Sequence, residues 1–147
     1  VDLKSDCVQY AKQACAEYHN IKVVQTDYRD VVKQSSHYDI IITSLFCHHL
    51  SNEEITELLQ WCRQYANVAT LVNDLHRHAL AYYSIKVLTK LFSKSYLVKN
   101  DAPLSVLRGF SRSDLQRITL NDTLTKIYWS WAFRWVIIQF NKNHVNT

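Results

Sequence analysis

Tyr-Asp-Ile-Ile-Ile-Thr-Ser-Leu-Phe-Cys-His-His-Leu, residues 38–50, is the stretch whose reading decides the fold. Its first half is a nearly continuous apolar run with three successive isoleucines. β-Branched side chains stiffen the backbone and suit a pleated surface, so the run reads as a strand buried on both faces, as in a parallel sheet. Its second half turns polar, with one thiol and two imidazoles, and Ser51 and Glu54 then supply a capping box for a helix. Strand, polar bend and helix make half of a βαβ unit. Ligands of open α/β sheets bind beyond the carboxyl ends of the strands, which puts Ser44 to His49 at the working edge.

The 147 residues suit one domain, and 48% apolar with 12% aromatic residues argues for a packed core. No apolar run approaches the roughly 18 residues needed to span a bilayer. No basic-then-apolar leader is visible, so a soluble cytoplasmic protein is the expectation. There is one glycine and no methionine, and the chain begins Val-Asp-Leu. An upstream segment is therefore expected to be missing, and internal residues too. The four cysteines, Cys7, Cys15, Cys47 and Cys62, form no C-x-x-C pair and are expected to be reduced, with those on helices buried as small hydrophobes. The net charge of +4 is uneven: residues 1–76 hold 6 Lys/Arg against 10 Asp/Glu, whereas residues 77–117 hold 8 against 2. No nucleic-acid motif accompanies the basic block, which points to a solvated face or an anionic small molecule or carrier.

Taken in order, Val1–Leu3 reads as the end of a strand. A helix capped by Ser5 runs to about Glu17 with an apolar stripe of Cys7, Ala11, Ala14 and Cys15. Ile21–Thr26 reads as a second strand, and Arg29–His37 as a polar connection. From about Asn52 to Ala66, Ile55, Leu58, Leu59 and Cys62 fall at i, i+3, i+4 and i+7, an amphipathic crossover helix. Val68–Val72 is another buried strand. Leu80–Phe92 is a helix with Leu80, Val87, Leu88 and Leu91 on one side and Lys86 and Lys90 on the other. Ser93–Phe110 reads as irregular, holding Pro103 and Gly109, and Ser111 with Asp114 starts a further helix. Thr125–Trp131 and Phe133–Phe140 predict a tight antiparallel hairpin. Asn141–Thr147 is a frayed tail. The fold class expected is α/β: a Rossmann-like three-layer sandwich, with a mostly parallel sheet and a C-terminal antiparallel β-hairpin.

Asp2, Asp27 and Asp74 stand where strands end. A carboxylate there can accept hydrogen bonds from both hydroxyls of a ribose, and one after the next strand from an exocyclic amine of adenine. Any single one is also an ordinary turn residue.

Val1-Asp2-Leu3, Gln25-Thr26-Asp27-Tyr28, the stretch 38–50 and Val72-Asn73-Asp74-Leu75 together resemble successive motifs of the class I S-adenosylmethionine-dependent methyltransferases. The likeness is to the small-molecule branch that includes the ubiquinone/menaquinone methyltransferases, and it covers nearly all of residues 1–140. It implies S-adenosylmethionine as cofactor, with Asp2 on the ribose and Leu3 against the adenine. Asp27 would take the adenine amine with Tyr28 beside it, and Ser44, Leu45 and Phe46 would lie under the methionine. Residues 75–110 would be a substrate-covering insertion. The family's first strand and glycine-rich loop are absent, which would cut the sheet in two. The stretch between Ser111 and Thr125 is short for a family helix and loop.

The same resemblance would gather His48, His49, Asp74, His76 and His78 over one crevice. The Cys-His-His and His-x-His spacings are not usual for zinc, so no metal is expected. His48, His49 or His76 can instead contact substrate and accept a proton from a hydroxyl during methyl transfer. Asp74, Tyr82 and Tyr83 can line the acceptor site, with Arg77 and Arg108 meeting an anionic end. The basic amphipathic helix also suits a membrane surface or a carrier protein. The function expected is methyl transfer to a hydroxyl or carbon of a small aromatic or lipid-like acceptor. Two alternatives stand beside it: a nucleotide-binding scaffold of the same fold without catalysis, and an NAD-dependent oxidoreductase, which the missing G-x-G-x-x-G disfavours.

Overall fold

The computed structural model describes residues 1–119 and 124–141. These divide into two compact units, Val1–Ser36 and His37–Thr147. In the first unit, helix α1 (Ser5–Ala14) starts from Lys4, which offers no side-chain cap, so Ser5 is inside the helix and not its cap. Asp6 in the first turn and Lys12 in the last complement the helix dipole. Val8 is the buried position, with Ala11 and Cys15 half-sheltered below it, while Cys7 and Ala14 are exposed. The buried position is thus Val8, which the expected stripe left out, and Cys7 is not a core thiol.

The two strands expected at Val1–Leu3 and Ile21–Thr26 reduce to one parallel bridge, Asp2 to Gln25. Asp2 N–H donates to the Val24 carbonyl (3.2 Å), and Thr26 N–H to that of Asp2 (3.1 Å). Part of the expected polar connection is instead a short helix, α2 (Tyr28–Val32), capped by Asp27.

The second unit holds a four-stranded sheet, built from β1 (Tyr38–Ser44), β2 (Ala66–Leu75), β3 (Thr125–Ser130) and β4 (Arg134–Phe140). The strand order is β1-β2-β4-β3, with β1 and β2 parallel and the other two pairings antiparallel. The sheet is therefore mixed, which corrects the mostly parallel expectation. The cause is local: a three-residue turn, Trp131–Phe133, joins β3 to β4 and forces them antiparallel, and β4 then takes the free edge of β2. Phe133 closes the turn at φ 57°, the left-handed residue that three-residue hairpins use. The hairpin arrives as predicted, with a turn longer than one residue.

Strand β1 lies at an edge of this sheet, and Ile40 (56% exposed) and Ile42 (65%) face outward. Burial on both faces is not met within this unit; β2, at the centre, is the strand that buries Thr70, Val72 and Asp74.

Helix α3 (Asn52–Tyr65) joins the parallel pair and begins with the predicted capping box: Glu54 N–H donates to Ser51 Oγ (3.2 Å), and Ser51 N–H to Glu54 Oε2 (2.9 Å). Ile55, Leu58, Leu59 and Cys62 are its buried face, each large apolar side chain contributing roughly 1.5–3 kcal/mol. Three helices connect β2 to the hairpin: α4 (Ala79–Phe92), α5 (Tyr96–Arg108) and α6 (Arg112–Ile118). Helix α5 occupies the stretch expected to be irregular, with Pro103 buried inside it. It packs along α4 and against β2 and the turn after β1. The Ser111–Asp114 capping box starts α6, whose Leu115 and Ile118 are buried. Asn141, expected in the tail, is anchored by its N–H to the Val68 carbonyl and its amide to that of Ala66. Residues 120–123, within the stretch judged short, and 142–147 of the tail lie outside the described residues.

Candidate functional site at the strand ends

In the first unit the Asp2–Gln25 bridge brings Asp27 to within two positions of the residue paired with Asp2. Both carboxylates already have backbone duties. Asp2 Oδ1 accepts from Lys4 N–H (2.8 Å), and Asp27 Oδ1 accepts from Arg29 N–H (2.9 Å) as the cap of α2. The Arg29 guanidinium stands 3.4 Å from Asp27 Oδ2. An ionised carboxylate offers about four acceptor sites, so each retains capacity for hydroxyl or amine donors. Leu3 is exposed and Tyr28 half-buried, with the Arg29 cation over the Tyr28 ring at 5.1 Å.

In the second unit β1 ends in a strained turn. Leu45 sits at φ 53°, a left-handed conformation costing a branched L-residue about 1–2 kcal/mol. Its N–H is held by the Asn73 carbonyl (2.9 Å), and the Asn73 amide reaches Ser44 Oγ (3.4 Å). Phe46 then leads into a single 3₁₀ turn, Cys47–His49.

That turn buries His48 against the end of β2. Its ring Nδ1 lies 2.7 Å from Asp74 Oδ1, its backbone N–H donates to Asp74 Oδ2 (3.3 Å), and Leu75 N–H donates to Oδ1 (2.7 Å). The His48 and Asp74 side chains are only 3% and 2% exposed. Burial pushes the Asp74 carboxyl up, but the His48 ring, the Leu75 and His48 N–H groups and the imidazole charge outweigh it and hold it below the ordinary range. An ionised carboxylate only accepts, so Nδ1 carries the proton of this bond, and Nε2 is the nitrogen left to exchange one. The exposed ring of His49 lies 4.1 Å from that of His48. Cys47 is buried beside Thr43 Oγ1 (3.6 Å), and burial pushes its thiol up to about 11, which removes it as a thiolate at neutral pH.

His76 follows at the β2 end, in an aromatic cluster with Trp135 (4.8 Å) and His78 (5.3 Å). Trp129 Nε1–H donates to its Nδ1 (3.2 Å), so the lone pair a base would use is engaged. Burial first, then the neighbouring His78, pulls its pKa below the ordinary value. Arg77 is ion-paired to Asp114, and its N–H donates to the Phe110 carbonyl (2.9 Å). Arg108 is exposed in the last turn of α5. Tyr82 and Tyr83 meet edge to face at 5.2 Å on α4, with Tyr83 turned outward and Lys86 over the Tyr82 ring.

Of the site residues read from sequence, the structure thus joins His48 to Asp74 and sets the His49 ring beside that of His48, tilted by 41°. It ties Arg77 and His76 to partners that sequence reading did not find, Asp114 and Trp129. Asp114 was visible only as a capping residue, and nothing local marks Trp129, which reaches His76 through the hairpin register.

Residues 1–68 match the family described as "Methyltransferase domain". No curated protein matches the sequence. Among solved structures, magnesium protoporphyrin IX methyltransferase from Synechocystis with bound S-adenosylhomocysteine superposes with a TM-score of 0.57 at 14% identity, over 95% of this chain and 62% of that one. The same enzyme with S-adenosylmethionine gives 0.53 at 13%, over 95% and 57%. The pyocyanin biosynthetic protein PhzM gives 0.56 at 13%, over 90% and 38%. The chain spans less than two thirds of the length of each of these structures. It has the fold of the class I S-adenosylmethionine-dependent methyltransferases, and its first 68 residues match the sequence of a methyltransferase domain.

Proposed function

We propose that the protein transfers a methyl group from S-adenosylmethionine to a hydroxyl or carbon of a small acceptor in the cytoplasm. The acceptor we favour is aromatic or lipid-like, of the kind the quinone-methylating branch uses, with an anionic or carrier-bound end. One observation carries this reading: within the stretch that matches a methyltransferase domain, Asp2 and Asp27 sit on backbone segments joined by the Asp2–Gln25 bridge. Two carboxylates with acceptor capacity to spare fit the paired hydroxyls of a ribose and the amine of adenine. Leu3 and Tyr28 would flank the base; that Ser44, Leu45 and Phe46 take the methionine end is what the family resemblance implies.

S-adenosylmethionine, when bound, supplies an electrophilic methyl group on a sulfonium sulfur. The chain's own task is then alignment and proton handling. With Nδ1 tied to Asp74, His48 can accept a hydroxyl proton at Nε2 as the oxygen–methyl bond forms, and Asp74 stabilises the resulting imidazolium. His49, beside it, is the more accessible contact for the acceptor. His76, with Nδ1 bound by Trp129, presents Nε2–H and serves better as a donor than as a base. Arg108 suits an anionic acceptor end better than Arg77, which Asp114 holds. Tyr82 and Tyr83 supply aromatic surface on the covering helices.

Calorimetry of the protein against S-adenosylmethionine, S-adenosylhomocysteine and NAD tests the reading. Binding of the first two alone supports methyl transfer. Binding of NAD alone points to the oxidoreductase, and binding of none to a protein that keeps the fold without the activity.

A further inference from the structure

Helix α4 is turned inside out relative to an ordinary amphipathic helix. Its buried positions are Ala81 and Thr89, whereas Leu80, Tyr83, Val87 and Leu91, at i, i+3, i+7 and i+11, face solvent. The exposure peaks at the turn into α5, where Leu91 is 69% exposed, Phe92 79%, Tyr96 76% and Leu97 68%. Four large apolar side chains are thus exposed within seven residues, at the turn between two helices that pack together, rather than scattered singly over the surface.

The charge around the tip selects what can cover it. Residues 75–100 contain Arg77, Lys86, Lys90, Lys94 and Lys99 and no Asp or Glu. Lys90, Lys94 and Lys99 bracket the apolar tip in sequence. A second copy of this chain would bring like charges together as it covered the apolar side chains. An anionic lipid surface satisfies both features at once, since acyl chains accept the apolar groups and headgroup phosphates accept the ammonium groups. No helix among the described residues is long and apolar enough to cross a membrane, so contact through this tip is interfacial.

We propose that the α4–α5 tip docks on anionic membranes, Leu91, Phe92, Tyr96 and Leu97 entering the headgroup layer and Lys90, Lys94 and Lys99 meeting phosphates. This stands apart from the proposed methyl transfer, because the tip residues it rests on, Lys90 to Lys99, include none given a part in binding or chemistry.

Flotation with vesicles tests it. The intact protein should float with phosphatidylcholine vesicles carrying about one-third phosphatidylserine and not with phosphatidylcholine alone, and binding should weaken as salt rises toward about 0.5 M. The double variant Phe92→Ser/Leu97→Ser and the triple variant Lys90→Ala/Lys94→Ala/Lys99→Ala should each lower vesicle affinity about tenfold or more. Their far-ultraviolet circular dichroism should be unchanged, because every altered side chain is exposed or half-exposed. Absence of vesicle binding, or parental binding by both variants, overturns the proposal. So does a concentration-dependent dimer that the Phe92→Ser/Leu97→Ser variant dissociates while vesicle binding persists.

Discussion

His48 Nδ1 lies 2.7 Å from Asp74 Oδ1, and through that contact the 3₁₀ turn after β1 is locked to the end of its parallel neighbour β2. Asp74 also receives two backbone N–H groups, so one buried carboxylate satisfies three donors. Asp74→Ala strands all three. Removing one partner of a buried pair costs about 3–5 kcal/mol, so the variant should lose stability on that scale in urea unfolding. His48→Gln, which can still donate to the carboxylate, should lose markedly less. Equal losses in the two variants would show that packing volume, not the hydrogen bonds, fixes the turn.

The same carboxylate predicts a response to acid. Its folded pKa lies below the unfolded value of about 3.9, so its contribution is complete above that pH and disappears as pH falls through the folded value. Asp114 works in the same sense: partial burial raises its pKa, but Ser111, Arg117 and Arg77 outweigh that and lower it. Comparing the parent with Asp74→Asn removes the shared part. The parent should lose stability more steeply than the variant as pH drops from about 5 to about 2 in denaturant titrations.

Capping boxes, the 3.6-residue period of α3 and the terminal hairpin were legible in sequence because each is a local pattern whose partners lie within a few residues. Helix α5 was not, because Pro103 and a weak apolar period argue against a helix, and packing on α4, β2 and the turn after β1 overrides both. Three isoleucines announced β1 correctly, yet side-chain type cannot say which strand pairs on its outer edge. The site divides the same way. Asp74 and His48 were both picked out, but their contact, and the ties of Arg77 to Asp114 and of His76 to Trp129, depend on register and crossovers.

Gly109 is the chain's one glycine, and its place explains it. A Cβ there would stand 2.7 Å from the Leu75 carbonyl oxygen, which also accepts from Phe110 N–H. The close approach holds the end of α5 against the end of β2, where His76 pairs with Phe110. Gly109→Ala should therefore cost about 1–3 kcal/mol by overpacking, read as a lowered melting temperature. A neutral effect would mean that the α5 terminus can slide away from Leu75 freely.

Asp27 carries a structural and a proposed functional duty, and two substitutions separate them. Serine can still cap α2 but offers no carboxylate, whereas alanine does neither. Asp27→Ser should keep near-parental stability, while Asp27→Ala should lose about 1 kcal/mol. If the carboxylate grips adenine, both should weaken S-adenosylmethionine binding by about tenfold, a loss typical of one charge-assisted hydrogen bond. Parental affinity in Asp27→Ser, measured by calorimetry, would confine the residue to capping.

His76 offers the last test, because its low pKa has separable causes. Burial contributes most and the adjacent His78 imidazole adds like-charge repulsion. His78→Asn should move the His76 titration part of the way back toward about 6.5, followed through its ring protons by NMR. The sign for stability follows from a pKa lowered in the folded state. The unfolded chain binds the proton first, so stability falls as pH drops from about 6.5 through the folded value, and that fall should be shallower in His78→Asn. Trp129→Phe leaves burial largely in place but frees Nδ1 from its donor, which removes a bond only the neutral ring can accept. Its His76 should therefore protonate at higher pH than the parent's, and an unmoved titration would show that the indole N–H exerts no hold on the ring.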